Sequence, residues 1–571
     1  MTLRRQLPAC LALLLAAPLP ALAQARRAQA ARVDALFARW DRGDSPGCAL
    51  GVFQDGRILF SRGYGMADLE LGAAITPQSV FDIASASKQF TAMCILLLAK
   101  EGKLSLEDDL RRHLPEIPDF GKRITLRHLL HHTSGIRDYI EALLLAGAKV
   151  GDVTTEADAL RAICRQRTLN FAPGDQYLYS NSGYFLLSLV VTRASGKPLA
   201  EFAQERIFGP LGMRHTRFND PRAPSPAGRA SGYAPAAKGG FTLAASNWEQ
   251  VGDGGVQTSI EDLFLWDRNF SDPRVGGAGL LKEMQTPGRL NSGRPLEYAA
   301  GLLVNRIRGL KAVGHAGVTV GFRSALVRFP DTGLSVVCLA NVESLDPGEL
   351  AVKVAEVFLG GAMQPLPPAS RAGEGPAAAF TEAEVSRWLG LYQNPSHGRL
   401  WTVTLAEGRL LLDVAGTSFR LIRTARDGFR TEGGPVAITL EFLPAAAGGR
   451  PRLQARVGDS REPRRYEPVE RWRPTPEQLQ GLSGDYHSEE LDTVYSLRPA
   501  SGRLLLTHRS VGLKALQPTL LDRFTLGATE FHFQRDPEGT VTGFNLGSDR
   551  SKHLWFQRVR PAKPGPGQAG S

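Results

Sequence analysis

Residues 90–98 read Phe-Thr-Ala-Met-Cys-Ile-Leu-Leu-Leu, a stretch that is apolar on nearly every side of a helix. A helix without a polar face is stable only when other elements enclose it, so this segment demands a sizeable domain built around it. Ser85-Ala86-Ser87-Lys88 stands at its entrance. Residues three apart share a helix face, which places Lys88 beside Ser85 and not beside Ser87. A serine hydroxyl is a weak nucleophile at neutral pH and needs a base within hydrogen-bond reach. A lysine one turn into a buried helix is partly desolvated, which lowers its pKa towards that of a usable base.

The surrounding pattern sets the architecture. Residues 48–54 and 57–64 flank an Asp55-Gly56 turn and read as a hairpin. A second hairpin is expected from residues 324–329 and 334–341 around Pro330-Asp331-Thr332-Gly333, followed by a helix over 347–359. The stretch between is mostly helical and includes a predicted helix over 106–114, with Ser105 as its N-cap and Asp108 near the third position. Strands at both ends with helices between predict an α+β domain over 32–360, an antiparallel sheet flanked by helices with a helical subdomain. Residues 361–379 hold four prolines and read as a linker. Beyond it, Gly390, Tyr392 and Gly408 recur as Gly484, Tyr486 and Gly502, all at an offset of 94. That constant offset predicts a duplication: two tandem all-β, barrel-like domains over 380–473 and 474–560, with a disordered Pro/Gly-rich tail at 561–571.

The first 23 residues read as a signal peptide: Arg4 and Arg5, an apolar stretch over 7–19, and an Ala21-Leu22-Ala23 cleavage site before Gln24. Export to the periplasm or the medium is therefore expected, and no later apolar run reaches membrane-spanning length. The net charge of +11, which falls to +9 without Arg4 and Arg5, could suit nucleic acid, anionic lipid or cell-wall polymer, but reads first as an ordinary charged surface. The basic residues are scattered among acids without stacking aromatics, so no nucleic-acid surface is expected. Cys48, Cys94, Cys164 and Cys338 follow the signal; Cys94 and Cys338 lie in apolar contexts that suit buried free thiols. His128, His131 and His132 have no acidic ligand near them, and no metal site is expected there.

Two further motifs follow in order. Tyr179-Ser180-Asn181 lies 91 residues after Lys88. A phenol ordinarily titrates near 10, but the charge of Lys88 would favour its phenolate, letting Tyr179 take the Ser85 proton and return it to a leaving group. Asn181 is placed to donate its amide to a substrate carbonyl. His315-Ala316-Gly317 lies 136 residues beyond Tyr179, flanked by Gly314 and Gly321, and glycines in a strand mark places of close approach. If that edge lines the cleft, the N–H groups of Val318 and Ser85 form an oxyanion hole.

The order and spacing of Ser-x-x-Lys, Tyr-x-Asn and His-x-Gly resemble the serine β-lactamase-like superfamily, in the branch of class C β-lactamases with their esterase and D-aminopeptidase relatives. The resemblance extends through His131-His132-Thr133-Ser134-Gly135, Pro210-Leu211-Gly212-Met213 and Gly254-Gly255-Val256. It implies a β-lactamase/penicillin-binding-protein-like fold. It also implies a catalytic set of Ser85, Lys88 and Tyr179, with Asn181, His315, Gly317 and Val318 binding substrate. The family's third motif usually starts with lysine; His315 is mostly neutral at pH 7, so the fixed cation for a penicillin or peptide carboxylate is missing from this strand. The expected activity is acyl-enzyme hydrolysis of a small-molecule or peptide-like ester or amide, esterase or D-aminopeptidase-like, without metal or organic cofactor. β-Lactamase or DD-peptidase activity, and non-catalytic penicillin-binding-like recognition, stand as alternatives. The C-terminal β domains also look similar to those of D-aminopeptidase-like members.

Overall fold

Strand β1 (Cys48–Gln54) is buried along almost its whole length, because both faces of its sheet are covered. Ala49 and Phe53 point into one core, while Cys48, Leu50 and Val52 point into another. This explains why the strand reads as a continuous apolar run rather than an alternation. The computed structural model describes residues 19–220, 223–365, 380–396, 398–432, 437–445, 449–458 and 462–559.

The sheet has six antiparallel strands. β1 pairs on one side with β2 (Arg57–Tyr64). On its other side the order continues outward through β8 (Leu334–Ala340), β7 (Phe322–Phe329), β6 (Leu310–Thr319) and β5 (Leu303–Ile307). Helices α1 (Leu19–Phe37) and α6 (Pro347–Leu359) cover one face, where Val33, Phe37, Leu350 and Val354 pack together. The apolar helix α2 (Lys88–Lys100) lies on the other face. Residues 88–98 of α2 are all buried, and α5 (Asn181–Ser195) packs along it. Short strands β3 (Phe81–Asp82) and β4 (Val256–Thr258) pair beneath the start of α2.

The expected helix over 106–114 is corrected to a shorter one, α3 (Leu110–His113). Asp109, not Ser105, is its N-cap, accepting from the Arg111 N–H. Ser105 closes a local turn instead: its Oγ accepts from the Glu107 N–H and its own N–H donates to Asp108 Oδ2. Asp108 is held by Arg112 and His113, so the carboxylate that looked like a capping partner draws the chain into a turn.

The repeated segments form two closed barrels of eight antiparallel strands, from Gly390–Gln393 to Arg464–Val469 and from Gly484–Ser488 to Leu554–Arg558. The equivalence reaches individual bonds. Tyr392 donates its hydroxyl hydrogen to the Trp388 carbonyl at 2.8 Å, and Tyr486 does so to Leu482 at 2.8 Å, at the same 94-residue offset. Gly408 and Gly502 both turn their hairpins at φ +71°.

The second barrel docks on the N-terminal domain through Arg137, whose side chain is fully buried. Its guanidinium donates to Glu490 Oε1 at 2.9 Å, to the Lys552 carbonyl at 2.8 Å and to Thr168 Oγ1 at 2.7 Å. Tyr495 adds a hydrogen bond to the Leu145 carbonyl at 2.9 Å. Residues 1–18 of the expected signal, 366–379 of the expected linker and the expected tail at 561–571 lie outside the described residues. No helix among the described residues is long and apolar enough to cross a membrane.

Candidate active site

Ser85 sits in a one-turn helix, Ala84–Ser87, wedged between β3 and α2. The turn is strained and clamped. Ala84 has φ +48°, a conformation that costs a non-glycine residue about 1–3 kcal/mol. Asp82 Oδ1 holds it by accepting from the Ala84 N–H at 2.7 Å. Ile83 donates its N–H to the Val256 carbonyl at 3.0 Å and accepts at its own carbonyl from Ser324 Oγ at 2.8 Å. Ser87 faces the other way: it is fully buried and its Oγ accepts from the Val256 N–H at 2.9 Å. Of the two serines in the motif, only Ser85 lines the cavity, which measures about 970 Å³.

Lys88 is fully buried beneath Ser85. Its Nζ lies 3.2 Å from Ser85 Oγ, 2.9 Å from Asn181 Oδ1 and 2.5 Å from the Asp253 carbonyl. Asn181 Oδ1 and the Asp253 carbonyl only accept, so a neutral Lys88 amine gives its two hydrogens to them. Its lone pair is then directed at Ser85. Burial lowers the Lys88 pKa to about 8, against the opposing pull of the Asp253 and Asp138 carboxylates. Burial raises Asp253 to about 6, with Lys88 drawing it down. The Tyr139 hydroxyl donates to Asp253 Oδ2 at 3.0 Å.

Asn181 begins α5, and its amide is largely committed within the protein. Its Nδ2 and backbone N–H both donate to Asp138 Oδ2, at 2.9 and 2.7 Å. In this geometry Asn181 fixes Lys88, with one amide hydrogen left for a substrate. Tyr179 lines the cavity, and its buried hydroxyl closes no hydrogen bond. Here the expectation of a stabilised phenolate is corrected. Burial pushes the phenol well above its usual value, outweighing the easing effect of the Ser85 hydroxyl and Arg550. Lys88 Nζ lies over the face of the ring, 4.9 Å from its centroid, rather than beside the oxygen. Tyr179 therefore carries a proton at neutral pH and is suited to donate one.

Strand β6 forms the opposite wall. His315 is buried there; its Nδ1–H donates to the Ala316 carbonyl at 2.6 Å, leaving Nε2 to accept from the Tyr298 hydroxyl at 3.0 Å. Burial and the nearby Lys88 charge lower its pKa to about 4, so it is neutral at pH 7. Val318 lines the cavity with an exposed side chain. Gly317 explains how β6 comes so near the nucleophile. A Cβ there would lie 2.1 Å from the Ile83 carbonyl oxygen and 2.5 Å from Ser324 Oγ. Gly317→Ala is expected to push β6 off the Ser85 turn and lower kcat/KM by about 10²-fold, the order set by a misplacement near 1 Å. Steady-state kinetics beside a thermal melt check this: a folded variant of wild-type activity would remove Gly317 from the account.

The three histidines have separate structural tasks. His128 Nδ1 accepts from the Thr125 N–H in the capping box of α4 (Leu126–Leu130), His131 lies 3.4 Å from the Tyr298 carbonyl, and His132 Nδ1 accepts from the Ser180 N–H. His132 also packs against the Tyr179 ring at a centroid distance of 4.2 Å. Among the described residues no cluster of His, Cys, Asp or Glu has metal-holding geometry. Sequence reasoning missed Asp138, the Asp253 carbonyl and Arg550. Arg550 comes from the second barrel, lines the cavity and lies 5.0 Å above the Tyr179 ring. The glycines 252, 254 and 255 were the only local signal for the Asp253 loop, and they do not identify a carbonyl ligand for lysine.

Residues 32–357 match the family model described as Beta-lactamase. A D-aminopeptidase of Gluconobacter oxydans is 28% identical over 547 residues, covering 93% of this chain and 98% of that protein. A D-aminopeptidase of Brucella anthropi is 26% identical over 534 residues, covering 90% and 96%. Among solved structures, an octameric penicillin-binding protein homologue from Pyrococcus abyssi shares the fold with a TM-score of 0.54 at 22% identity, covering 78% of this chain and 100% of that one.

Proposed function

The chain belongs to the β-lactamase family, and from that premise we propose that it hydrolyses amides of D-amino acids through an acyl-enzyme on Ser85. One observation carries the chemistry: Lys88 Nζ lies 3.2 Å from Ser85 Oγ, with its other hydrogen-bonding directions fixed by Asn181 and Asp253. The substrate class is supported by similarity to D-aminopeptidases that spans the N-terminal domain and both barrels.

Neutral Lys88 takes the Ser85 proton as Oγ bonds to the amide carbon, and the carbonyl π electrons move to oxygen. The N–H groups of Ser85 and Val318 hold that oxyanion, each such donor being worth about 2.7–4 kcal/mol. As the tetrahedral intermediate collapses, Tyr179 gives its proton to the departing nitrogen and recovers one from Lys88. Water then adds to the ester, with Lys88 again the base, and the acid product leaves with Ser85 restored. Gly317 provides the close approach of β6, and neutral His315 shapes the wall beside Val318.

Export is part of the proposal, supported by Arg4, Arg5, the apolar residues 7–19 and Ala21-Leu22-Ala23. Cell-wall peptides carrying D-residues are the substrate source this reading favours. The test is a substrate panel. D-alanine p-nitroanilide is expected to be turned over at least about 10-fold faster than its L-isomer and than a chromogenic cephalosporin, a ratio corresponding to about 1.4 kcal/mol. Short-chain nitrophenyl esters provide the esterase arm. Dominant turnover of the cephalosporin or of the esters would overturn the assignment to D-amino-acid amides.

A further inference from the structure

The loop between the last two strands of the second barrel, Val541–Gly547 and Leu554–Arg558, reaches into the cavity that holds Ser85. Its backbone is tied to the N-terminal domain. The Arg550 N–H donates to Glu141 Oε2 at 3.1 Å, and the Arg550 carbonyl accepts from Asn170 Nδ2 at 2.8 Å. The Lys552 N–H donates to Asn170 Oδ1 at 2.8 Å, and buried Arg137 donates to the Lys552 carbonyl. The Arg550 side chain is held more loosely: it is 42% exposed, lies over the Tyr179 ring, and forms a 3.6 Å ion pair with Asp138 Oδ2, an oxygen that already accepts two N–H groups from Asn181. Among the described residues the cavity wall has one further arginine, Arg229, which acts on the Asp82 carboxylate.

We propose that Arg550 is the specificity-determining cation of this site, reading the free α-carboxylate of the leaving residue in a short peptide. The inference rests on the acyl-enzyme reading above and deepens it. Arg550 lies over Tyr179, the group placed to protonate the leaving nitrogen, and so marks the leaving-group side. In a peptide, the α-carboxylate carbon of the leaving residue lies about 2.5 Å from that nitrogen, across one intervening Cα. A guanidinium fork binds a carboxylate through two parallel N–H bonds. The positive charge that β6 lacks, with neutral His315 at its third motif, thus enters from a different domain. The favoured substrate is a D-aminoacyl residue joined to a terminal residue with a free carboxylate.

The test compares kcat/KM for D-alanyl-D-alanine with that for its C-terminal amide, in the full chain. Wild type is expected to favour the acid by about 10- to 100-fold, the range for a charge-assisted hydrogen bond. Arg550→Ala should bring the ratio near one, Arg550→Lys should restore part of it, and Arg550→Glu should invert it. A wild-type ratio near one, or a ratio that Arg550→Ala leaves in place, would overturn the inference. A second readout does not need turnover: the acid should slow fluorophosphonate labelling of Ser85 more than the amide does, and Arg550→Ala should erase that difference. Equal protection by acid and amide also overturns it. A folded wild type that takes no label would overturn the acyl-enzyme reading and this inference together, an outcome distinct from labelling without carboxylate preference.

Discussion

Ser85→Ala is expected to lower kcat by about 10⁶-fold, the order observed when a serine nucleophile is removed from a catalytic set that acts as a unit. The structure makes the comparison with Ser87 sharp. Both hydroxyls belong to the same turn, but Ser87 is fully buried and accepts from the Val256 N–H, whereas Ser85 opens on the cavity within reach of Lys88. Ser87→Ala leaves a buried N–H without a partner and should cost about 1–3 kcal/mol of stability while preserving the covalent step. Kinetics and thermal melts on both variants separate the two roles. An active Ser85→Ala protein, or a folded Ser87→Ala protein that has lost acylation, would contradict the assignment.

Lys88→Met should lower kcat/KM by about 10²- to 10⁴-fold, the usual contribution of a positioned proton-transfer group. It also leaves Asn181 Oδ1 and the Asp253 carbonyl without their donor, so a melt must accompany the kinetics. The pH profile is the more specific readout. Neutral lysine is the active form, and burial lowers its pKa to about 8. Activity should therefore rise with pH through about 8 and level off above it, far below the range of a solvated lysine near 10.4. His315 titrates near 4 and contributes no change in that window. The Met variant should lose the limb near 8 together with the rate. A profile flat between pH 6 and 9 would remove Lys88 as the base.

Much of the N-terminal sheet was readable from sequence, because local rules govern its edges. The Asp55-Gly56 turn defined the first hairpin, and the helix over 347–359 was bounded by Pro347 at its start and Gly360 at its end. The barrels announced themselves through a repeat whose glycines and tyrosines serve the same turns and hydrogen bonds. The 106–114 segment failed because Ser105 offered a cap too early: the backbone at Asp108–Leu110 is drawn to residues 124–126, with Leu110 N–H donating to the Ile124 carbonyl and Leu126 N–H to the Asp108 carbonyl, so the helix starts only after Asp109.

Within the site, Ser85 and Lys88 were legible as a pair because one helical turn brings them together. Their environment was not. Asp253 meets Lys88 across 165 residues, and the loop carrying Arg550 lies more than 400 residues from Asp138 in the chain. Nothing local in Asp549-Arg550-Ser551 distinguishes it from any other exposed turn. The Tyr179 error had a related origin. Its proximity to a lysine was correctly anticipated, but the placement of Nζ over the ring face, and the depth of burial, decide the sign of the shift.

Ser85 is the acyl carrier of this mechanism, and mass spectrometry of the trapped enzyme reads that role without intermediate steps. After reaction with a fluorophosphonate, the folded full-length protein should gain one adduct, mapping to Ser85 on the peptide that spans Ala84–Ser87. An adduct on another residue, or a folded protein that gains none, would contradict the account.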